Sequence, residues 1–224
     1  MFAILFDIDG TLINTGGAGG TALLKAFSEE FGVETPERVP FAGRTDRGIA
    51  ANLFRIHEVP NTPENWDRLR LGYLRELVVQ LPLHEGQVLP GVEQVLAALA
   101  ARDDVHLGLL TGNVREGART KLEHYRLFQH FSFGGFGDLH ADRDDVAREA
   151  LRETRTRLDQ HFHPERLWVV GDTPLDIRCA RAIGARVIAV GTGGHCRDEL
   201  KQAGPDLLVE DLSDATEVLG RMLL

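Results

Sequence analysis

Four aspartates and one threonine are the residues with which this chain could do chemistry. Phe6-Asp7-Ile8-Asp9-Gly10-Thr11 sets two acids two residues apart, and on extended backbone that spacing puts both side chains on one face. Gly171-Asp172-Thr173-Pro174-Leu175-Asp176 supplies two more. Crowded carboxylates repel unless a proton or a cation lies between them. A hard, oxygen-seeking ion such as Mg²⁺ relieves the excess, taking one or two carboxylates together with waters and substrate oxygens. Thr111, followed by Gly112 and Asn113, adds a hydroxyl beside the unpaired N–H groups of a helix start, where an anion is well placed.

The elements that must position these residues are legible as short apolar runs at Ala3 to Phe6, Val105 to Leu110, Leu167 to Val170, Val187 to Val190 and Leu207 to Val209. Their near-continuous apolar character predicts strands covered by helices on both faces, an α/β fold built on a doubly wound, Rossmann-like parallel sheet. Asp7, Thr111 and Asp172 each follow the end of one run, and in such sheets ligands bind outside the carboxyl ends of the strands. Either acid pair alone reads equally well as a solvated loop. Two pairs and a threonine at one edge do not.

The interval between the first two runs far exceeds an ordinary crossover of a dozen or so residues. Thr21 to Phe31, Asp46 to His57 and Glu64 to Gln80 carry apolar residues at helical spacing, and Pro36, Pro40, Pro60 and Pro63 break the stretches between. This predicts a small α-helical cap domain over 15–82, inserted into a core made of 1–14 and 83–224. Gly16 to Gly20 and Pro82 to Gly91 are the expected hinges.

Composition excludes other classes. With 43% hydrophobic and 26% charged residues the chain is globular. Its net charge of −9 and lack of a basic run argue against a nucleic-acid partner. The longest apolar run, Val95 to Ala101, is too short to cross a bilayer, which takes about 20 residues. The start of the chain has no basic segment before its apolar stretch, unlike a secretory signal, so a cytoplasmic location is expected. Cys179 and Cys196 are the sole cysteines and have no metal-ligand spacing. Lysine is limited to Lys25, Lys121 and Lys201.

The DxDGT opening, the Thr-ending second strand and the GDxxxD segment resemble the haloacid dehalogenase-like hydrolase superfamily, phosphoglycolate phosphatase-like members with a helical cap after the first strand in particular. The resemblance implies a Mg²⁺-dependent phosphatase acting on a small, soluble phosphate monoester, such as a phosphoglycolate-like or sugar-phosphate compound. Asp7 is then the nucleophile that forms an aspartyl-phosphate and also touches the metal. Asp9 protonates the leaving oxygen and later deprotonates water. Thr111, with the N–H groups around Gly112 and Asn113, binds the phosphoryl group. The metal site comprises Asp7, Asp172 and Asp176, with Asp9 or, as the better ligand of the two, the main-chain carbonyl of Ile8. A phosphomutase would use the same residues, and a non-catalytic phospho-acceptor module is the alternative from a different class, although such modules lack an insertion after the first strand.

The superfamily also uses a basic residue, usually in a Lys-Pro pattern that this chain lacks. Two candidates remain. Lys121 lies ten residues after Thr111 on a helix running away from the carboxyl edge, about 12–15 Å down it at 1.5 Å per residue. Arg143 precedes the helical stretch Val146 to Leu158 that feeds the next strand, and such a helix begins at the carboxyl edge. This reasoning favours Arg143, whose fork suits carboxylate or phosphate. In the cap, Gly43-Arg44-Thr45-Asp46 is the loop expected to meet substrate, with Arg44 reading a carboxylate or a second phosphate. Thr11 is assigned to the turn, and Gly191 to Gly194 to a flexible loop bordering the site.

Overall fold

The structure is a computed structural model and describes residues 1–214 together with 219 and 220; the rest of the expected core segment 83–224 lies outside the described residues. The chain begins with β1 (Phe2–Phe6) and the short β2 (Ile13–Asn14), then runs through helices α1 (Ala18–Phe31), α2 (Asp46–Ile56) and α3 (Pro63–Gln80). It continues with β3 (Gln87–Val88), α4 (Val92–Ala100), β4 (Val105–Leu110), α5 (Arg115–His124), β5 (Gly134–Gly135) and α6 (Arg143–Arg157). It closes with β6 (Leu167–Gly171), α7 (Pro174–Ala182), β7 (Arg186–Val190), α8 (Arg197–Gln202) and β8 (Leu207–Val209).

Six strands form one parallel sheet in the order β5-β4-β1-β6-β7-β8. Alternate residues of β1 enter two different cores, because successive strand side chains point to opposite faces. Ile4 and Phe6 pack with Val92, Leu96 and Leu122 of α4 and α5, while Ala3 and Leu5 pack with Val146, Ala150 and Ile177 of α6 and α7. The sheet is thus covered on both sides, as its apolar runs predict. Phe6 is in register with Leu109 of β4 and Val170 of β6. The three strands followed by Asp7, Thr111 and Asp172 are therefore neighbours, and they end side by side.

Helices α1 to α3 form a separate core around Phe27, Leu53, Phe54, Leu69 and Leu77, with the Phe27 ring 5.0 Å from Phe31 and 5.9 Å from Phe54. Each of α2 and α3 starts where the sequence supplies a cap: Thr45 accepts from the Gly48 N–H and Thr62 from the Asn65 N–H, with Pro63 in the first turn of α3. A threonine cap of this kind contributes about 1 kcal/mol. This helical insertion leaves and rejoins the sheet domain through a ribbon in which β2 runs antiparallel to β3.

Two of the differences from the sequence reading concern glycines. Helix α1 begins at Ala18, so Gly19 and Gly20 are helical and not part of a hinge. A Cβ on Gly19 would lie 3.1 Å from Lys121 Nζ, so a side chain there would crowd the lysine. The other is β5, two glycines that carry no side-chain pattern to betray a strand.

Candidate active site

Asp7, Thr111 and Asp172 follow the last residues of β1, β4 and β6, and Asp176 enters from the first turn of α7. Thr173 caps that helix reciprocally: its hydroxyl accepts from the Asp176 N–H, and the Asp176 carboxylate accepts from the Thr173 N–H at 2.9 Å. The capping box thereby fixes an acid at the sheet edge. Asp7, Asp172 and Asp176 are all buried, and one carboxylate oxygen of each lies within 4.8 Å of the others.

Arg143 crosses this cluster. It is 3% exposed and donates to Asp176 Oδ1 at 2.5 Å and to the Leu110 carbonyl at 3.3 Å, with the same nitrogen paired in charge with Asp7 Oδ1 at 3.0 Å. One guanidinium does not offset three acids. Burial raises the Asp7 carboxyl to about 6, with Asp176 and Asp9 adding to the rise and Arg143 opposing it. Burial also holds Asp172 well above the ordinary carboxylate range, reinforced by Asp176 and Asp7. Crowded, buried carboxyls that offer oxygen ligands only fit a hard divalent cation. Asp172 is held for that purpose from several sides. Thr11 Oγ1 donates to its Oδ1 at 3.0 Å, and an added Cβ on Gly10 or Gly193 would come within 2.4 or 1.8 Å of its Oδ2.

Asp9 does not join the trio. Its carboxylate receives Lys121 Nζ at 2.9 and 2.6 Å and Asn113 Nδ2 at 2.8 Å. The Ile8 carbonyl, the expected alternative ligand, instead accepts from the N–H groups of Thr11, Leu12 and Ile13 at 3.3, 2.9 and 3.1 Å. The DxDGT turn wraps back on that oxygen, so its lone pairs serve the turn.

The placement of Lys121 corrects the distance expected from the sequence. It is buried at the site, where it also donates to Asn113 Oδ1 at 2.7 Å. Helix α5 starts at Arg115, which puts Lys121 about 9 Å along it at 1.5 Å per residue. Helical side chains tilt toward the N-terminus, so a long lysine stem reaches back to the sheet edge. Both basic candidates are present, Arg143 on Asp7 and Lys121 on Asp9.

A cavity of about 520 Å³ opens over these groups, between the sheet edge and the insertion. Asp7, Asp9, Asp172, Lys121 and Arg143 line it from the core, and exposed Arg44 with half-buried Asp46 from the insertion. Gly112 and Asn113 form its wall at the end of β4. Thr111 lies fully buried, its hydroxyl accepting from the Asn113 amide side chain at 2.9 Å. Gly191 to Gly194 borders the site as expected, with the Thr192 hydroxyl donating to the Gly10 carbonyl at 2.6 Å, whereas Thr11, assigned to the turn alone, also reaches Asp172. Threonines near turns carry no signal that separates a turn contact from a site contact.

No helix among the described residues is long and apolar enough to cross a membrane. Residues 4–190 match the profile of a family described as haloacid dehalogenase-like hydrolase. A phosphoglycolate phosphatase of Synechococcus elongatus is 29% identical over 225 residues, covering 100% of this chain and 99% of that protein. A putative pyrophosphatase, PpaX, of Caldanaerobacter subterraneus subsp. tengcongensis is 24% identical over 97% of this chain and 94% of its own length. The crystal structure of CbbY from Rhodobacter sphaeroides in complex with phosphate shares the fold, with a TM-score of 0.75 at 24% identity over 96% of each chain. The chain therefore belongs to the haloacid dehalogenase-like hydrolase family, an enzyme among relatives that are named phosphatases and pyrophosphatases.

Proposed function

We propose that the protein is a Mg²⁺-dependent phosphatase that hydrolyses a small, soluble phosphate monoester through an aspartyl-phosphate on Asp7. The observation that carries this reading is the convergence of Asp7 and Asp172, at the ends of neighbouring strands, with Asp176 of the first turn of α7, under a cavity that the insertion roofs. We read 15–82 as the cap and 1–14 with 83–224 as the core. Mg²⁺, held by the three carboxylates, would screen the phosphate's charge from the incoming carboxylate.

The remaining steps belong to this chain's own residues. Arg143 holds one oxygen of Asp7 and so fixes its rotamer. A carboxylate oxygen of Asp7 attacks phosphorus, and the ester P–O bond breaks. The leaving oxygen takes a proton from Asp9, which enters this step as the carboxylic acid, turned from Lys121, and leaves it as the carboxylate. Asp9 then takes a proton from water as that oxygen attacks the acyl-phosphate phosphorus, releasing phosphate and restoring Asp7. The N–H groups of Gly112 and Asn113, with the Thr111 hydroxyl behind them, hold the phosphoryl oxygens. Arg44 at the cavity reads an anionic group on the leaving side of the substrate, as a phosphoglycolate-like compound would present, and the setting is cytoplasmic.

Turnover of p-nitrophenyl phosphate, followed with excess EDTA and after Mg²⁺ is restored, tests the class. We expect activity to vanish in EDTA and to return with Mg²⁺; metal-independent turnover would remove the mechanism. A panel of 2-phosphoglycolate, sugar phosphates and inorganic pyrophosphate, assayed for released phosphate, then identifies the substrate class and separates hydrolysis from transfer back to substrate.

Gly193→Ala gives a sharper test of the metal site. Its new methyl group would displace the Asp172 carboxylate, an overpacking that costs about 1–3 kcal/mol. The Mg²⁺ concentration giving half-maximal turnover should therefore rise roughly tenfold, as about 1.4 kcal/mol of lost binding implies. Gly194→Ala, whose added carbon meets nothing within 4 Å, should leave it unchanged.

A further inference from the structure

The start of α2 does more than roof the cavity. Asp46 donates its backbone N–H to the Gly112 carbonyl at 2.7 Å and accepts the Val114 N–H on its Oδ2 at 2.8 Å. One residue of the insertion thus brackets the core turn Thr111 to Val114 from both ends. Helix α5, which follows that turn from Arg115, has Val114 as its N-cap and no side-chain cap of its own. Its first N–H groups are served by Asp46 from the insertion and by Asp138, which accepts from the Arg115 N–H at 2.8 Å. Acids at a helix start also suit its partial positive charge.

Neighbouring contacts make the seat tight. A Cβ on Gly112 would lie 2.0 Å from the Arg44 carbonyl, and one on Gly48 would lie 2.7 Å from the Ala141 carbonyl. The Thr45 hydroxyl donates to that same Ala141 oxygen at 3.1 Å. Val114 itself is buried in the hydrophobic core of the insertion. The turn that carries Gly112 and Asn113 is therefore shaped by groups that arrive only with the insertion.

We propose that Asp46 is a positioning residue: by holding the Gly112 carbonyl and the Val114 N–H, it sets the Thr111 to Val114 turn in its phosphoryl-binding shape when the cap is docked. The inference rests on the phosphatase reading of the same site. Docking of the cap and assembly of the anion site are then one event, and by linkage a bound phosphoryl group favours docking as much as docking favours binding.

Asp46→Ala removes the acceptor, whereas Asp46→Asn keeps an oxygen of similar reach. Inhibition of p-nitrophenyl phosphate turnover by inorganic phosphate, at saturating Mg²⁺, is the readout. For Asp46→Ala we expect the phosphate inhibition constant and KM to rise together by about tenfold, the scale of a lost charged hydrogen bond, with kcat changing less than threefold. Asp46→Asn should return both constants to within threefold of the parent protein. Phosphate inhibition within twofold of the parent in Asp46→Ala would overturn the proposal. So would an asparagine variant as impaired as the alanine one at an unchanged melting temperature.

Hydrogen exchange on the unmodified protein gives a test free of any folding defect. With Mg²⁺ and inorganic phosphate, amides of 111–116 and of 43–48 should slow together; protection of the first segment alone would overturn the coupling. A parent protein that neither turns over phosphate esters nor binds phosphate fails the phosphatase reading, and this inference falls with it. A parent protein inhibited by phosphate, with an alanine variant inhibited equally, fails the Asp46 inference alone.

Discussion

Asp7→Asn should yield a folded protein whose turnover is lower by at least about 10³-fold, the scale on which removing a nucleophile acts, and whose metal-free form is more heat-stable than the parent. The first effect follows from the loss of the attacking oxygen's charge. The second follows from burial, which raises the Asp7 carboxyl to about 6. Because the folded-state value lies above that of the unfolded chain, ionised Asp7 weakens the fold. That penalty is complete above about pH 6 and absent below about pH 4. The asparagine variant, which still offers Arg143 an oxygen, should therefore gain in melting temperature only at the upper end of that range, measured in EDTA. Full turnover in this variant would exclude Asp7 as nucleophile, and a stability gain that persists at pH 4 would exclude the electrostatic account.

Removal of Arg143 has the largest structural consequence. The guanidinium is buried and bonded to Asp7, Asp176 and the Leu110 carbonyl. Arg143→Met leaves two buried carboxylates without their cation, and breaking a buried pair in this way costs about 3–5 kcal/mol. For a chain of this size that corresponds to a fall in melting temperature of roughly 6–20 °C. Mg²⁺ should restore part of the loss, since a divalent ion among the same acids replaces the missing charge. Arg143→Lys should recover less than the parent value, because one ammonium cannot match the fork's geometry. Thermal melts with EDTA and with Mg²⁺ decide the matter: a metal-free drop under 2 °C would show that Arg143 does not hold the cluster.

The strands were legible because burial on both faces writes itself into composition. Val105–Leu110 is identical in sequence reading and structure, and Ala3 to Phe6 and Leu167 to Val170 miss one residue each. The carboxyl-edge placement of Asp7, Thr111 and Asp172 followed from those strands. What could not be read has identifiable physical causes. The two glycines of β5 have no side chains to show a period. The three N–H groups that converge on the Ile8 carbonyl are backbone pairing, which side-chain types do not encode. Lys121 was misplaced because its distance was reckoned from Thr111, although α5 starts only at Arg115, and because a lysine stem leaning toward the helix start spans what a residue count leaves open. The bracket that Asp46 places on the Thr111 to Val114 turn joins residues 68 positions apart, a pairing that no local pattern announces.

The ribbon of Ile13–Asn14 against Gln87–Val88 has a consequence for how such a protein can change its substrate. Both crossings pass through one doorway, side by side at the roughly 5 Å spacing of paired strands. A replacement cassette of helices needs only two ends that meet at that distance; it need not respect the sheet's topology. Asp7, Asp172 and Asp176 lie on the far side of the doorway, so the helices can be exchanged wholesale while these acids stay where they are.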